Sequence, residues 1–298
     1  MHYLITGGTG FIGKALCASL LADQHRVTVL TRHVGRATAC LPSGASATDT
    51  LDELREIDVV VNLAGENLTD GRWSDERKQA FLDSRIGTTH RLNEWMAAQI
   101  QRPKTMISGS AIGWYGAHGE EPLTEDSNPG DDFPARLCQA WEAEAVKAAA
   151  LGVRVCLIRT GIVLAADGGA LGKMLLPFKL GVGGPMGDGK QWMSWITRHD
   201  LVRMIRWLAE TDSAIGTYNG TAPNPVTNAE FAKMLAQSLH RPSIIRTPAI
   251  VLQLMFGEMA DMLLTGQRVL PSRAIDEGFR FDHLTVATAL AAVDLSAR

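Results

Sequence analysis

The sequence lacks the features that mark membrane, secreted and zinc-binding proteins. No apolar run in its 298 residues approaches the ~20 residues of a membrane span; Glu258 and Asp261 interrupt the closest candidate, 248–264. The sequence does not start with a basic segment followed by a long apolar stretch, so we predict no secretory signal. Its four cysteines show no C-x-x-C spacing, and its eight histidines do not cluster with cysteines or carboxylates at the spacing of metal ligands. We expect a cytoplasmic protein with reduced thiols and no bound metal.

An excess of charge of either sign is also absent. The 29 basic and 32 acidic residues give a net charge of −3, so nothing in the electrostatics favours nucleic acid or a membrane as a partner. Glycine, in contrast, is abundant: it makes up 29 of the 298 residues, about a tenth of the chain, whereas its usual share is ~7%. We expect a small-molecule substrate, while formation of a homo-oligomer stays open.

Apolar runs and amphipathic segments alternate along the first half of the chain. Short apolar runs predict buried strands at 2–6, 27–31, 57–63, 104–108 and 153–159. Helical spacing of apolar residues predicts helices at 11–22, 51–56, 75–99 and 136–149. This alternation predicts an α/β fold with a doubly wound parallel sheet, the Rossmann architecture.

After about Gly161 the pattern changes to glycine- and proline-rich segments and helices. We predict a nucleotide-binding domain over 1–165 and a smaller, mainly helical lobe over 166–298. Within the lobe, helices are predicted at 199–209, 228–239 and 250–264. A strand and a helix between about 190 and 220 are expected to return to the first domain.

A glycine-rich turn joins the first predicted strand to the first predicted helix. Gly8, Gly10 and Gly13 satisfy the pattern G-x-G-x-x-G in this strand–turn–helix context. Glycines permit a tight turn, and backbone N–H groups can then approach a pyrophosphate at the positive end of the helix dipole. The turn therefore predicts dinucleotide binding.

The same turn comes close to the phosphate loop of nucleoside triphosphatases. Residues 8–14 fit G-x-x-x-x-G-K, but the next residue is Ala15, which has no hydroxyl group to bind Mg²⁺. The next strand ends in Thr31 and Arg32 rather than in an acidic metal ligand. A kinase or ATPase is accordingly disfavoured.

The end of the second strand indicates which dinucleotide is bound. Folds that select NAD place a carboxylate there for the 2′-hydroxyl of the ribose. This sequence has Thr31, Arg32 and His33, and a guanidinium group can pair with a 2′-phosphate. NADP(H) is the predicted cofactor; an exposed loop arginine without this role is the alternative.

Further motifs resemble those of the extended short-chain dehydrogenase/reductases. They are GGTGFIG at 7–13, NLAGE at 62–66, SGS at 108–110, WYG at 114–116, and G-x-G-x-Q at 187–191 followed by WI and DL at 195–196 and 200–201. Cys138-x-x-Trp141-Glu142, Arg72-Trp73 and the block from about 250 are similar to the YfcH-like epimerase family, an atypical branch of NAD-dependent epimerase/dehydratase-like proteins. The resemblance covers essentially the whole chain.

The resemblance implies a set of cofactor contacts around the glycine turn. At the pyrophosphate these are Gly7, Thr9, Gly10, Phe11 and Ile12. At the adenosine ribose and its phosphate they are Thr31 and Arg32, with Leu63, Ala64 and Gly65 beneath them. The remaining two are Arg85, on the long helix, and Ile162, near the nicotinamide. For Arg85 an ordinary solvated helix arginine is an equal alternative.

One departure from the superfamily concerns its proton-transfer pair. Hydride-transferring members use Y-x-x-x-K, in which the lysine lowers the pKa of the tyrosine. None of Tyr3, Tyr115 and Tyr218 is followed four residues later by lysine. By approximate alignment, Leu137 and Trp141 occupy the two positions, and neither side chain transfers protons.

Four other residues are the candidates for proton transfer. Ser110 matches a serine that hydrogen-bonds a substrate carbonyl in relatives, and Tyr115 follows in a loop expected to border the pocket. Cys138 and Glu142 lie one helical turn apart and therefore share a face. Three of them have a structural alternative: strand-end capping for Ser110, packing for Cys138 and a solvated carboxylate for Glu142.

Two functions are compatible with these observations. The first is an NADP(H)-dependent oxidoreductase or epimerase-like enzyme acting on a small carbonyl or hydroxyl substrate. The alternative is a non-catalytic NADP(H)-binding sensor or interaction module, which the missing tyrosine–lysine pair favours.

Overall fold

A computed structural model of the chain describes residues 1–295, so the last three residues of the predicted C-terminal lobe lie outside the described residues. The strands are β1 (His2–Thr6), β2 (Arg26–Leu30), β3 (Ser46–Thr48), β4 (Val59–Asn62), β5 (Thr105–Ala111), β6 (Pro122–Leu123), β7 (Arg154–Thr160), β8 (Ile162–Ala165), β9 (Trp192–Met193), β10 (Trp195–Thr197), β11 (Gly216–Gly220), β12 (Val226–Thr227) and β13 (Arg268–Val269). The helices are α1 (Phe11–Ala22), α2 (Val34–Cys40), α3 (Asp75–Leu82), α4 (Thr88–Ala98), α5 (Phe133–Val146), α6 (Gly169–Lys179), α7 (Arg198–Glu210), α8 (Asn228–Ser238), α9 (Ala249–Phe256), α10 (Asp261–Leu264), α11 (Ser272–Asp276) and α12 (Val286–Ala292).

Seven parallel strands form the central sheet, in the order β11-β7-β5-β4-β1-β2-β3. The strand order reverses between β1 and β4, which is where a doubly wound sheet opens a crevice at its carboxyl edge. The predicted Rossmann fold is confirmed.

Both faces of this sheet are buried, which explains the continuous apolar runs of its strands. On one face, side chains of β1, β2 and β4 pack against α1 and α7 in a cluster that includes Ile5, Val29 and Leu16. On the other face, β1, β4 and β5 pack against α4 in a cluster that includes Val60 and Leu92.

The region after β8 is mainly helical, as predicted. Its own apolar cluster joins α6, α8 and α12 through residues such as Leu175, Phe231 and Leu290. The strand β11 leaves this region and pairs with β7 at the edge of the central sheet. Within residues 1–295, no helix combines the length and the apolar character needed to cross a bilayer.

Three predicted helices differ from the structure. Residues 51–56 form a single turn, closed by Leu54 N–H donating to Leu51 O, because the segment is too short to propagate a helix before β4 begins. The predicted helix 75–99 is divided into α3 and α4 by a π-helical turn, Asp83–Gly87. The predicted helix 250–264 is interrupted at Gly257, whose φ of 59° no α-helix accommodates.

The burial of the cysteines predicts a simple pattern of thiol reactivity. Burial raises the pKa of Cys17, Cys138 and Cys156 to about 11, whereas Cys40 is exposed. Because the thiolate is the reactive form, we expect one fast-reacting thiol per native chain with Ellman's reagent near about pH 8. Cys40→Ser should remove that phase, and unfolding should release the remaining three thiols; a second fast thiol in the native protein would contradict the assignment.

Candidate active site and cofactor groove

The turn after β1 depends on glycine at two positions. Gly7 has a φ of 69°, and a Cβ on it would lie 2.5 Å from Leu63 O. A Cβ on Gly13 would lie 2.2 Å from Gly7 O. The absence of these side chains lets the turn lie directly against the start of α1 and against the loop that follows β4.

The first turn of α1 presents backbone donors rather than side-chain caps. Its N-cap residue is Gly10, which makes no side-chain hydrogen bond, and its first turn contains no acidic residue. The first N–H groups of a helix have no partner within the helix, and the helix dipole makes this end positive. This end of α1 is therefore suited to a phosphate group.

A groove of about 770 Å³ begins at this turn and follows the carboxyl edge of the sheet. Predicted cofactor residues lining it are Gly7, Thr9, Gly10, Thr31, Arg32, Leu63, Ala64 and Gly65. Phe11 lies beside the groove, with its ring against Gly168 and Gly169, while Ile162 lies on β8. The structure thus brings together segments that are far apart in sequence.

Arg32 lies at the groove with its side chain 83% exposed. Its Nη2 atom is 3.3 Å from Glu66 Oε1, a contact between the loop after β2 and the loop after β4. His33 and Arg36 line the same groove. A phosphate group bound here would therefore compete with Glu66 for Arg32, and the side chains of His33 and Arg36 would be its neighbours.

Arg85 is positioned by the π-helical turn between α3 and α4. Its guanidinium group donates to Glu66 O at 3.0 Å and to Phe81 O at 3.3 Å, and its Cζ atom lies 5.4 Å from the ring centroid of Trp141. Burial lowers the pKa of Arg85. The turn inserts an extra residue into the helix, and such π-bulges are frequent at functional sites.

Ser110, Glu142 and Arg159 meet at the carboxyl edge of the sheet. Ser110 on β5 and Arg159 on β7 are partners in the register of the two parallel strands. Glu142 reaches both from α5: Ser110 Oγ donates to Glu142 Oε1 at 2.6 Å, and Arg159 Nε and Nη2 donate to Oε1 and Oε2 at 2.8 and 2.9 Å. All three side chains are buried.

Tyr115 and Cys138 belong to the same cluster. The Tyr115 hydroxyl donates to Asn219 Oδ1 at 2.7 Å and accepts from Arg159 Nη1 at 3.1 Å. Burial raises the pKa of Tyr115 and raises that of the neighbouring Cys138 to about 11. Asn219 N–H in turn donates to Glu125 Oε1 at 2.9 Å, so the network continues to the loop after β6.

Arg159, Asn219 and Glu125 were not among the residues selected from the sequence. Arg159 could have been selected, because it ends an apolar run in a predicted buried strand, where an arginine requires a buried partner. Asn219 and Glu125 gave no such signal, since each lies in a segment without a recognisable motif.

Leu137 and Trp141 are buried on α5, where the tyrosine and lysine of the usual pair were expected. Trp141 Nε1 donates to Thr89 Oγ1 at 3.1 Å, and its ring lies 2.9 Å from the place of a Cβ on Gly109. The indole therefore fills the space between α5 and β5 and connects α5 to α4.

One imidazole and two carboxylate groups, which are common metal ligands, lie close together outside the groove, and the sequence did not predict this cluster. One ligand atom from each of His199, Asp200 and Asp282 lies within 4.8 Å of the others. Arg203 Nη1 lies 3.0 Å from a carboxylate oxygen of each aspartate, and His199 Nε2 lies 2.7 Å from Asp282. These contacts form an ion-pair network in which a cation already occupies the position between the carboxylates.

Comparison with known proteins agrees with this geometry. Residues 3–219 match the family described as the NAD dependent epimerase/dehydratase family. The chain belongs to this family. Residues 247–293 additionally match a domain of unknown function, DUF1731. The resemblance predicted from the sequence motifs is confirmed.

Relatives match over nearly the full length of the chain. The epimerase family protein YfhF of Bacillus subtilis is 39% identical over 97% of both chains. The epimerase family protein SDR39U1 of Homo sapiens is 37% identical over 97% of this chain and 98% of its own. A crystal structure of human SDR39U1 (isoform 2) with NADPH has a TM-score of 0.90 at 37% identity, covering 98% of this chain and 99% of that one.

More distant structures share the fold alone. The UDP-glucuronic acid 4-epimerase from Bacillus cereus, in complex with UDP-glucuronic acid and NAD, has a TM-score of 0.79 at 18% identity. It covers 98% of this chain and 97% of its own.

The crowding at Gly13 predicts a specific loss of stability. Gly13→Ala places a methyl group 2.2 Å from Gly7 O, and the resulting overpacking should lower the free energy of unfolding by about 1 to 3 kcal/mol in denaturant titration. Gly35→Ala is the matched control, because its Cβ meets nothing within 4 Å and alanine favours the helix α2 by up to about 1 kcal/mol. Equal stability changes in the two variants would contradict the close approach at the turn.

Proposed function

We propose that this family member binds NADP(H) and acts as an oxidoreductase or sugar-nucleotide-epimerase-like enzyme on a small carbonyl or hydroxyl substrate. The observation that carries the proposal is the uncapped N-terminus of α1, which opens onto the groove that also holds Arg32. Gly65 lines this groove, and a Cβ on it would lie 2.9 Å from Arg85 Cζ, so the missing side chain lets the Arg85 guanidinium group lie against this part of the groove. The NADPH in the structure of the human relative supports the same choice of cofactor.

Each segment of the groove has a proposed role toward the cofactor. The turn from Gly7 to Ile12 would hold the pyrophosphate, and Thr31 and Arg32 would hold the adenosine ribose and its 2′-phosphate. Residues 63–65 would pass beneath the ribose, Arg85 would face the cofactor, and Ile162 would lie near the nicotinamide. The division at about residue 165 is part of the proposal, with α7 and β11 assigned to the nucleotide-binding domain.

The chain's own residues supply a route for a proton beside this groove. When bound, the cofactor would supply or accept a hydride. We assign to Ser110 the contact with the substrate oxygen. As a substrate hydroxyl passes its proton to Ser110 Oγ, the Ser110 proton can pass to Glu142 along the 2.6 Å hydrogen bond, and reduction of a carbonyl uses the same two transfers in reverse. Tyr115 and Cys138 complete the cluster, and the partners of the Tyr115 hydroxyl, Asn219 and Arg159, give it a fixed orientation.

A non-catalytic NADP(H) sensor is the second candidate, and a specific observation favours it. Two buried apolar side chains, Leu137 and Trp141, occupy the positions where the usual tyrosine and lysine were expected. Such a protein would bind the cofactor through the same groove without turnover. The four free cysteines favour a reducing, cytoplasmic location for either function.

The assignment of Arg32 predicts discrimination between the two nicotinamide cofactors. Arg32→Ala removes a charge-assisted hydrogen bond to the 2′-phosphate, so the Kd for NADPH should rise by at least about tenfold while that for NADH stays unchanged. Quenching of tryptophan fluorescence measures both constants. Arg55→Ala, an exposed arginine outside the groove, is the control; an unchanged Kd for NADPH in Arg32→Ala would contradict the assignment.

Turnover separates the enzyme from the sensor. We expect NADPH and a library of carbonyl compounds to give a loss of reduced-nicotinamide absorbance, slowed about 100-fold or more by Ser110→Ala. Ser238→Ala, which alters a hydroxyl on the exposed face of α8, should leave the rate unchanged. Binding without turnover would favour the sensor. Turnover that survives Ser110→Ala, Tyr115→Phe and Glu142→Gln together would reject these residues but keep the enzyme.

A further inference from the structure

Arg159 is a buried arginine at the carboxyl edge of the sheet, and in the proposed function its one role is to orient the Tyr115 hydroxyl. Its side chain is 5% exposed. Because Ser110 and Arg159 are register partners on adjacent strands, their side chains leave the same face of the sheet, toward α5. Glu142, from that helix, contacts both.

The guanidinium group is held from several directions. Two of its nitrogens bind the two oxygens of Glu142, which is the bidentate geometry preferred between arginine and a carboxylate. Nη1 donates to the Tyr115 hydroxyl at 3.1 Å and to Glu125 O at 3.4 Å. The ring of Trp114 lies against the guanidinium plane, with its centroid 3.3 Å from Cζ.

Burying such a pair is not the most stable way to fill the space. The desolvation cost of two buried ions often equals or exceeds their attraction, and apolar side chains of similar volume are then as stable or more so. An ion pair at this place therefore points to a requirement for a charge with a fixed orientation rather than for stability. The group that this orientation serves is Ser110, whose hydroxyl donates to the same Glu142 oxygen that Arg159 Nε binds.

We propose that Arg159 is the positioning residue of this cluster: it keeps Glu142 an ionised acceptor in one place, and Glu142 in turn fixes the direction in which Ser110 donates its proton. The proposal rests on the proposed function only in taking Ser110 as the group that meets the substrate. With its hydrogen directed at Glu142, Ser110 Oγ has its lone pairs free to accept a hydrogen bond from a substrate hydroxyl. Arg159 itself touches protein groups and not the reacting atoms.

Loss of the guanidinium group should change the protonation of Glu142. A buried carboxylate without a counter-charge takes up a proton, and it then donates to Ser110 instead of accepting from it. The other titratable groups of the cluster do not replace Arg159. Burial raises the pKa of Tyr115 and of Cys138, which keeps both neutral, and Arg85 donates to Glu66 O and Phe81 O rather than to Glu142.

Infrared difference spectroscopy near neutral pH measures this protonation directly. Arg159→Met should gain the carbonyl stretch of one protonated carboxyl group, and the double variant Arg159→Met with Glu142→Gln should lose that band. Arg159→Lys keeps a positive charge and should show no band. Glu125 is a second buried carboxyl group whose backbone carbonyl Arg159 contacts, so the loss of the band in the double variant is what assigns the band to Glu142. A spectrum of Arg159→Met without the new band would overturn the proposal, because a merely structural arginine would leave Glu142 ionised.

A second measurement applies if Arg159→Met does not fold. The difference between the unaltered protein and Glu142→Gln should contain the loss of an ionised carboxylate and no loss of a protonated carboxyl group. The opposite result would show that Arg159 does not keep Glu142 charged, and it would equally overturn the proposal.

Cofactor affinity keeps this test separate from the proposed function. Arg159 does not line the groove, so Arg159→Lys should bind NADPH within about twofold of the unaltered protein. If the unaltered protein failed to bind NADPH, the proposed function would fail while the infrared result still decided the role of Arg159. A tenfold loss of affinity in Arg159→Lys would instead assign Arg159 to the cofactor site and contradict a positioning role.

Discussion

The close approach of three backbone segments at Gly7 and Gly13 is the constraint on which the groove depends. Leu63 O and Gly7 O occupy the space that side chains on Gly7 and Gly13 would need. The hydrogen bond from Leu63 N–H to Thr6 O holds the loop after β4 against the end of β1. Because the strand order reverses between these two strands, this contact lies at the opening of the crevice and sets its floor.

The carboxyl edge of the sheet has two chemically different parts. Near β1 and β4 it offers backbone N–H groups and space, which suit an anionic ligand. Near β5 and β7 it offers a closed network of charged and hydroxyl groups, in which Ser110, Glu142 and Arg159 satisfy one another. The part near β1 and β4 depends on the absence of side chains, whereas the part near β5 and β7 depends on polar side chains that all have hydrogen-bond partners.

Sequence reasoning succeeded where the deciding interactions are local. The strand β1, the glycine turn and α1 follow one another within 22 residues, and the turn chemistry of glycine is sufficient to predict them. The break at Gly257 and the single turn at 51–56 were missed because helical spacing of apolar residues does not reveal a positive φ or a segment too short to propagate. The contact of Arg32 with Glu66 joins loops that follow β2 and β4, and no spacing along the chain predicts it.

The same distinction separates the candidate catalytic residues from their partners. Ser110 and Glu142 are 32 positions apart, and only the packing of α5 against β5 brings them to 2.6 Å. The register between β5 and β7 then places Arg159 beside Ser110. A motif could identify each residue, yet it could not reveal that Glu142 also binds Arg159.

Trp141 and Arg85 extend this argument to charge. At the position where the approximate alignment expects a lysine, α5 carries the Trp141 indole, which packs against Gly109. The positive charge over this ring is the guanidinium group of Arg85, which comes from the π-helical turn between α3 and α4. A cation delivered by a different element has a different direction of approach, because Arg85 is tied to Glu66 O and Phe81 O rather than extending from α5. The position of this one cation therefore follows from an irregularity in helix geometry, which a periodic sequence pattern conceals, whereas the cation that binds Glu142 is Arg159 on β7.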